Sequence, residues 1–377
     1  MKIQKMMLTQ RLPHVLLALI FLALILPTNA PAAGYPKRGS WHSLDINGKF
    51  TFVSYVAASK NALAIAGLDS HLKPAVWKCN PKAIQNCSKL TIGLDQSATA
   101  PSALAFNAAG DLFAMFSLPV AAADNPNHTL IQRLPLGKRV WESFQSFGGL
   151  SLSLDVTNDQ VLTGSTYELV AGPVSTGKYW GAVDLYDGSG NLLATNLNDT
   201  TTALTAVAND GLGGLFVAGP KILPGTKTRG PYAGVWSWSP ATAKLQRFNE
   251  ITLGDTMVSI TDMVGDGSGS LFIAGSDLMN QGQVFQYRNN ALSNTGLGAF
   301  QVSSLVYSPN GYLVAAGQDA TSYQGQIWIY DPAVSTWQGL NLKGAVQVVN
   351  VAVNNQLNRI YAVGMDRNGR SRIWAYY

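Results

Sequence analysis

Residues 261–275, TDMVGDGSGSLFIAG, hold an apolar segment, a turn of Gly, Asp and Ser, and a second apolar run that closes on Ala-Gly. Two short apolar runs around such a turn are a β-hairpin, because Gly reaches the positive φ of a tight turn without steric cost. Recurrence of the phrase decides the fold. LAIAG (63–67), LFAMFS (112–117), VLTGS (161–165), LFVAG (215–219), LVAAG (313–317) and IYAVG (360–364) repeat the second run, at a spacing of about fifty residues. Matching first runs and turns stand ahead of most copies: SALAFNAAGD (102–111), TAVANDGLGG (205–214), SLVYSPNG (304–311) and VAVNNQLN (351–358).

A third phrase follows each hairpin: AVWKCNP (75–81), GVWSWSP (234–240), QVFQYRN (283–289), QIWIYDP (326–332) and RIWAYY (372–377), with AVDLYDG (182–188) a looser copy. Several units then pass through a short turn into a fourth, aromatic-bearing segment, VWESF (140–144), LQRFN (245–249) and TWQGL (336–340). Four short strands per unit, repeated seven times, specify blades, and blades set radially make an all-β, seven-bladed β-propeller. No apolar period of 3.6 persists, so helical repeats are excluded.

The last unit supplies three strands before the chain reaches Tyr377. Its fourth is found at the other end. WHSLDINGKF (41–50) echoes WQGLNLKGAV (337–346), so the amino-terminal strand is expected to join blade 7, formed by residues 343–377 plus 40–47, and to close the ring against edge-to-edge pairing. Ala and Gly at 216–219, 272–275 and 314–317 are expected where neighbouring blades converge.

Residues 1–32 read as a signal peptide: Lys2, Lys5 and Arg11 precede the apolar stretch 15–26 and the small-residue zone TNAPAAG, with cleavage expected after Ala32. Residues 33–39 are a short linker and 40–377 the propeller. The apolar stretch is short for the roughly 20 residues needed to span a bilayer, so the mature chain is not membrane-spanning and is expected to be secreted or periplasmic. The formal charge of +5 includes the three leader cations, and charged residues make up only 12% of the chain. Neither a nucleic-acid stripe nor a polybasic membrane surface is indicated. Cys79 and Cys87, close around a turn in an exported chain, are expected to form a disulfide.

IWIYDPAVSTWQGL (327–340) resembles the end of a kelch repeat, where a Tyr-Asp-Pro turn is followed by a Trp that packs against the next blade. VWSWSPATAKLQRF (235–248) is a degraded copy, and hairpins such as GSGSLFIAG are similar to those of streptogramin-lyase-like propellers. The resemblance implies a kelch-like propeller of the kind at the centre of galactose oxidase, a group that includes interaction scaffolds and enzymes alike. A copper-radical site would need two His, a Tyr and a second Tyr cross-linked to a Cys. The mature chain offers only His42, His71 and His128, and the cysteines are better explained by each other. Of the few glutamates, only Glu168 lies between a second and a third strand, where a lyase would place an acid/base group.

Two constellations are candidates for a site. In units 1, 5, 6 and 7 the second strand ends Gly-x-Asp, with Asp69, Asp277, Asp319 and Asp366. Each either caps its own turn or joins an arc of carboxylates able to take Ca²⁺; no other cofactor is expected. Units 2, 3 and 4 carry longer loops at the same place, and the last two gather Lys178, Tyr179, Trp180, Lys221, Lys227, Arg229 and Tyr232. An aromatic and basic wall of that kind suits a sugar ring or a peptide. The expected function is therefore an exported, monomeric binding module for a glycan or protein ligand on this loop face, without nucleic acid. The alternative is an enzyme, a hydrolase or lyase and less readily a copper oxidase, working at the same face.

Overall fold

The computed structural model describes residues 39–44, 50–119, 127–148, 150–157, 159–171, 174–198, 203–222, 229–238, 249–253 and 256–377. The leader and most of the linker lie outside these residues. The described secondary structure is entirely β, in four-stranded antiparallel sheets whose strands a to d run from the inside outward in chain order. Blade 1 is Phe52–Ala58, Leu63–Leu68, Pro74–Asn80 and Ala83–Lys89; blade 2 is Pro101–Phe106, Leu112–Pro119, Asn127–Leu134 and Glu142–Gly148. Blade 3 is Leu150–Thr157, Gln160–Ala171, Val174–Asp187 and Leu192–Asn198; blade 4 is Ala206–Asn209, Leu215–Ile222, Arg229–Trp238 and Asn249–Ile251. Blade 5 is Met257–Gly265, Leu271–Asp277, Gly282–Arg288 and Ala291–Asn294; blade 6 is Ala299–Ser308, Tyr312–Asp319, Gly325–Asp331 and Thr336–Leu340. Blades 5 and 6 are joined at their edge by one register pair, Gly282 with Ala299.

Blade 7 takes Ala345–Asn354, Arg359–Asp366 and Ser371–Tyr376 from the carboxy terminus and Trp41–Leu44 from the amino terminus. Trp41 lies opposite Tyr376 and Ser43 opposite Trp374. The pairing continues past the strand, where the Ser40 N–H donates to the Tyr377 carbonyl at 3.0 Å. Each strand a lies against strand a of the next blade, and that of blade 7 against that of blade 1, so the ring is closed.

The core follows from this geometry. Seven hydrophobic clusters occupy the described residues, each across one junction between adjacent blades. Strand b faces two junctions at once: Leu63 and Ile65 pack toward blade 7, Ala64 and Ala66 toward blade 2. Both faces being buried, the strand reads as a continuous apolar run rather than an alternating one. Burying each Leu or Ile contributes about 2 kcal/mol, while the Ala positions let the wedges converge.

In four of the seven runs the closing glycine has a different cause from the one the sequence suggested. Strand a carries a β-bulge in blades 1, 5, 6 and 7. Just before the bulge a carbonyl of strand a turns onto strand b: those of Phe52, Ser259, Gln301 and Gln347 occupy the space of a Cβ on Gly67, Gly275, Gly317 and Gly364. The close approach is therefore within a blade. Hydroxyls at or beside these bulges then stitch blade to blade: Ser54 Oγ donates to Pro101 O at 3.2 Å, Thr261 Oγ1 to Val302 O at 2.8 Å and Ser303 Oγ to Val348 O at 2.7 Å.

The Cys79–Cys87 disulfide joins directly opposed residues of strands c and d in blade 1, with Cα atoms 4.0 Å apart. Trp337, the kelch-like tryptophan, packs on Tyr330 of its own blade with ring centroids 4.9 Å apart. Its indole N–H donates to Thr295 O, at the end of blade 5, at 3.1 Å. It thus braces the preceding blade and not the next one.

Candidate functional site

Because strands a and c run one way and b and d the other, the b–c turns and the d-to-a connections open on one face of the disc. The a–b and c–d turns open on the opposite face. All four Gly-x-Asp carboxylates sit in b–c turns of consecutive blades, as the sequence implied. Each also accepts hydrogen bonds from its own turn. Asp69 Oδ1 takes the N–H groups of His71 at 2.8 Å and Lys73 at 3.0 Å. Asp277 takes those of Met279 and Gln281, at 2.8 and 2.9 Å, and Asp366 those of Asn368 and Arg370, at 2.9 and 3.0 Å. In these three turns the third residue after the Asp, Leu72, Asn280 or Gly369, has positive φ.

The same five-residue device recurs on the other face. Asp210 and Asp266 hold a–b turns and Asp187 holds a c–d turn by identical i+2 and i+4 bonds, with Gly213, Gly269 and Gly190 at positive φ. A motif found on both faces belongs to the turn and not to one binding surface. Among the described residues no three His, Cys, Asp or Glu side chains lie together so as to hold a metal ion.

The second oxygens of the b–c carboxylates set them apart. Asp69 Oδ2 accepts from Lys89 Nζ at 2.7 Å, Asp277 Oδ2 from Gln283 Nε2 at 3.2 Å and Asp366 Oδ2 from Arg372 Nε at 2.7 Å. Burial opposes ionisation of Asp69, yet Lys89 and the turn N–H groups outweigh it and bring the carboxyl down to about 2. Among the described residues Asp319 has no such partner on Oδ2; the three bonds to its carboxylate, from Thr321 N, Ser322 N and Ser322 Oγ, go to Oδ1.

The aromatic and basic wall is differently built from the expected loops. In blade 3 residues 165–171 and 174–181 are not loop but the ends of two long strands, in which Lys178, Tyr179 and Trp180 pair with Leu169, Glu168 and Tyr167. The physical reason lies in the composition of STYELVA and VSTGKYWG, which are rich in β-branched and aromatic residues that extend a hairpin. In blade 4 Arg229 begins strand c, Tyr232 is half-buried within it, and Lys227 lies outside the described residues. Lys221 is ion-paired inside its blade, Nζ to Glu250 Oε1 at 2.7 Å.

A groove of about 580 Å³ opens between blades 6 and 7 on the face of the b–c turns. Asp319, Ser322, Gln324 and Gln326 line it from blade 6, Lys343 from the d-to-a connection and Arg367 from the b–c turn of blade 7. Sequence reading singled out Asp319 but missed the others. The available signal was LNLKG (340–344), a polar connection that carries a cation between two blades.

A second polar feature, also unread in the sequence, lines the inner strands. Asp262 of blade 5 accepts from Leu305 N of blade 6 at 2.7 Å, and Asp155 of blade 3 from Asn209 N of blade 4 at 2.7 Å. Asn350 of blade 7 donates to Ser304 Oγ of blade 6 at 3.1 Å and accepts from Val56 N of blade 1 at 3.0 Å. Burial raises both carboxyls, that of Asp262 to about 7. Burial and then the charge of Asp262 push the Tyr55 phenol up to about 12.

No family model and no curated protein matches the chain. Solved structures do. A structure described as the WD40 β-propeller domain of Doa1 superposes with a TM-score of 0.57 at 13% identity, covering 89% of this chain and 97% of that one. A chain of the structure described as the Mitotic Checkpoint Complex gives a TM-score of 0.59 at 13% identity, over 92% of this chain and 94% of that one. The likeness is one of architecture and singles out neither kelch nor galactose-oxidase repeats: what this chain shares with these structures is the β-propeller fold.

Proposed function

We propose that this chain is an exported binding module whose ligand, a glycan or a protein, sits on the face of the b–c turns and d-to-a connections. The observation that carries the proposal is the groove between blades 6 and 7, a concave, polar site on that face with charged side chains at its walls. The sparseness of His and Glu favours binding over catalysis. His42 stacks on Tyr377 at the outer edge of blade 7, His71 lies in a turn of blade 1, and Glu250 is taken by Lys221 on blade 4. Acid/base chemistry needs such groups within reach of one another.

The Cys79–Cys87 disulfide supports export, since oxidising compartments maintain such bonds. The kelch-like reading of residues 327–340 rests on its Tyr330-Asp331-Pro332 turn.

A bulky polymer placed by cysteine labelling tests the face. Attached at Thr321→Cys, in the b–c turn of blade 6, it abolishes binding on a mixed array of glycans and peptides. Attached at Ser268→Cys, on the opposite face, it leaves binding intact. The reverse pattern would place the ligand elsewhere and sink the reading.

A further inference from the structure

We infer that the groove between blades 6 and 7 recognises an acidic oligosaccharide, a sugar chain bearing carboxylate or sulfate groups. The inference rests on the reading that this face binds the ligand. Asp319 is the first support. Its counterparts in blades 1, 5 and 7 have both carboxylate oxygens engaged, whereas Asp319, on the groove wall, keeps Oδ2 without a partner among the described residues. The N–H of Ser322, and after it the Ser322 hydroxyl and the Thr321 N–H, lower its pKa, so it stays ionised as a hydroxyl acceptor.

Two exposed cations face it. Lys343 and Arg367 both line the groove, and neither makes an ion pair among the described residues. Arg372 nearby is held by Asp366, which leaves Arg367 to the groove. The charge balance therefore favours an anion. Amides complete the walls: Gln324 Oε1 is enclosed without a partner, and its Nε2 makes only a long 3.4 Å bond to Ser322 O. An unmade hydrogen bond disfavours that position, so turning the amide onto a ligand hydroxyl is favourable.

Tyr323, between Ser322 and Gln324, is the last element. It is held at a φ of 53°, a conformation uncommon for an aromatic residue, and remains 55% exposed with its ring edge-on to Phe300 at 4.9 Å. Tyr323 itself does not line the groove; the turn it holds carries Ser322 and Gln324, which do. A carboxylate and amides for hydroxyls and two cations for acid groups together match an acidic sugar. An acidic peptide would set its carboxylates against Asp319 without hydroxyls to satisfy it.

Titration calorimetry with hexagalacturonate, a heparin hexasaccharide, maltohexaose and a hexaglutamate peptide tests this. At least one acidic hexasaccharide binds, and maltohexaose and hexaglutamate bind at least about tenfold more weakly. The double variant Lys343→Ala/Arg367→Ala loses about tenfold or more in affinity at unchanged melting temperature. The inference is overturned if no acidic sugar binds, if hexaglutamate binds equally well, or if the double variant binds like wild type. In that last case, binding still blocked by the Thr321→Cys label would leave the face reading standing. Binding indifferent to both would remove the two together.

Discussion

Gly317 lies directly under the backbone carbonyl of Gln301, so that a Cβ on Gly317 would fall inside 3.0 Å of that oxygen. The obstruction is backbone, fixed by the bulge between Val302 and Ser304 and by the Ser303 bond to blade 7. Gly317→Ala is therefore expected to destabilise the protein by about 3 kcal/mol. Gly298→Ala, at an open position, changes stability by less than about 0.5 kcal/mol. Urea unfolding of the two variants checks this; equal midpoints would show that the strand a carbonyl yields.

The same relationship explains why the architecture was readable. The bulge recurs blade after blade and imposes Gly67, Gly275, Gly317 and Gly364, while burial on two faces imposes the apolar run ahead of them. Constraints that repeat leave a periodic trace in sequence. The groove leaves none, because Lys343, Arg367 and Gln324 come from three segments that approach only once the ring is closed. The length of blade 3's hairpin was hidden for another reason: Gly172 and Pro173 read as loop although the flanking residues pair on both sides. Asp155 and Asp262 do not stand out in sequence from the Ser and Thr that share their strands, and only the closed ring supplies the inter-blade N–H groups they accept from.

Asp262 makes the stability depend on pH. Its carboxyl is raised from an unfolded value of 3.8 to about 7 by burial, so the folded state holds the proton more tightly. Below the unfolded value both states are protonated and the group contributes nothing to the pH dependence. Stability is then lost as pH rises from about 4 to about 7, by a few kcal/mol at most. Asp262→Asn keeps an acceptor for Leu305 N without the charge. It is expected to melt higher than wild type at about pH 8, with the gap closing towards about pH 4. A constant offset across that range would show that the charge is not what burial disfavours.

The turn carboxylates predict indifference to divalent metal. Replacing Asp366 by Ala removes the acceptor of two N–H groups and the partner of Arg372, and is expected to cost about 1–2 kcal/mol. Wild-type protein, by contrast, melts at the same temperature in millimolar Ca²⁺ and in chelator. A rise in melting temperature with Ca²⁺ that Asp366→Ala abolishes would restore the cation arc, because a ligand bound only to the folded state must stabilise it.

Ring closure depends on four residues far from the chain's end. Trp41 packs its ring on Tyr376 at 5.2 Å and lies half-buried against the cluster between blades 6 and 7. Trp41→Ala is expected to lower stability by about 2 kcal/mol, below the range for a fully buried Trp because the ring keeps some exposure. Beginning the chain at residue 50 goes further and leaves Ser371–Tyr376 as an unpaired edge beside that cluster. An open edge recruits other strands, so the shortened protein should melt lower and associate with rising concentration in light scattering, whereas Trp41→Ala stays monodisperse. If the shortened protein melts like wild type and does not associate, strand Trp41–Leu44 is an ornament on a ring that three strands of blade 7 already hold shut.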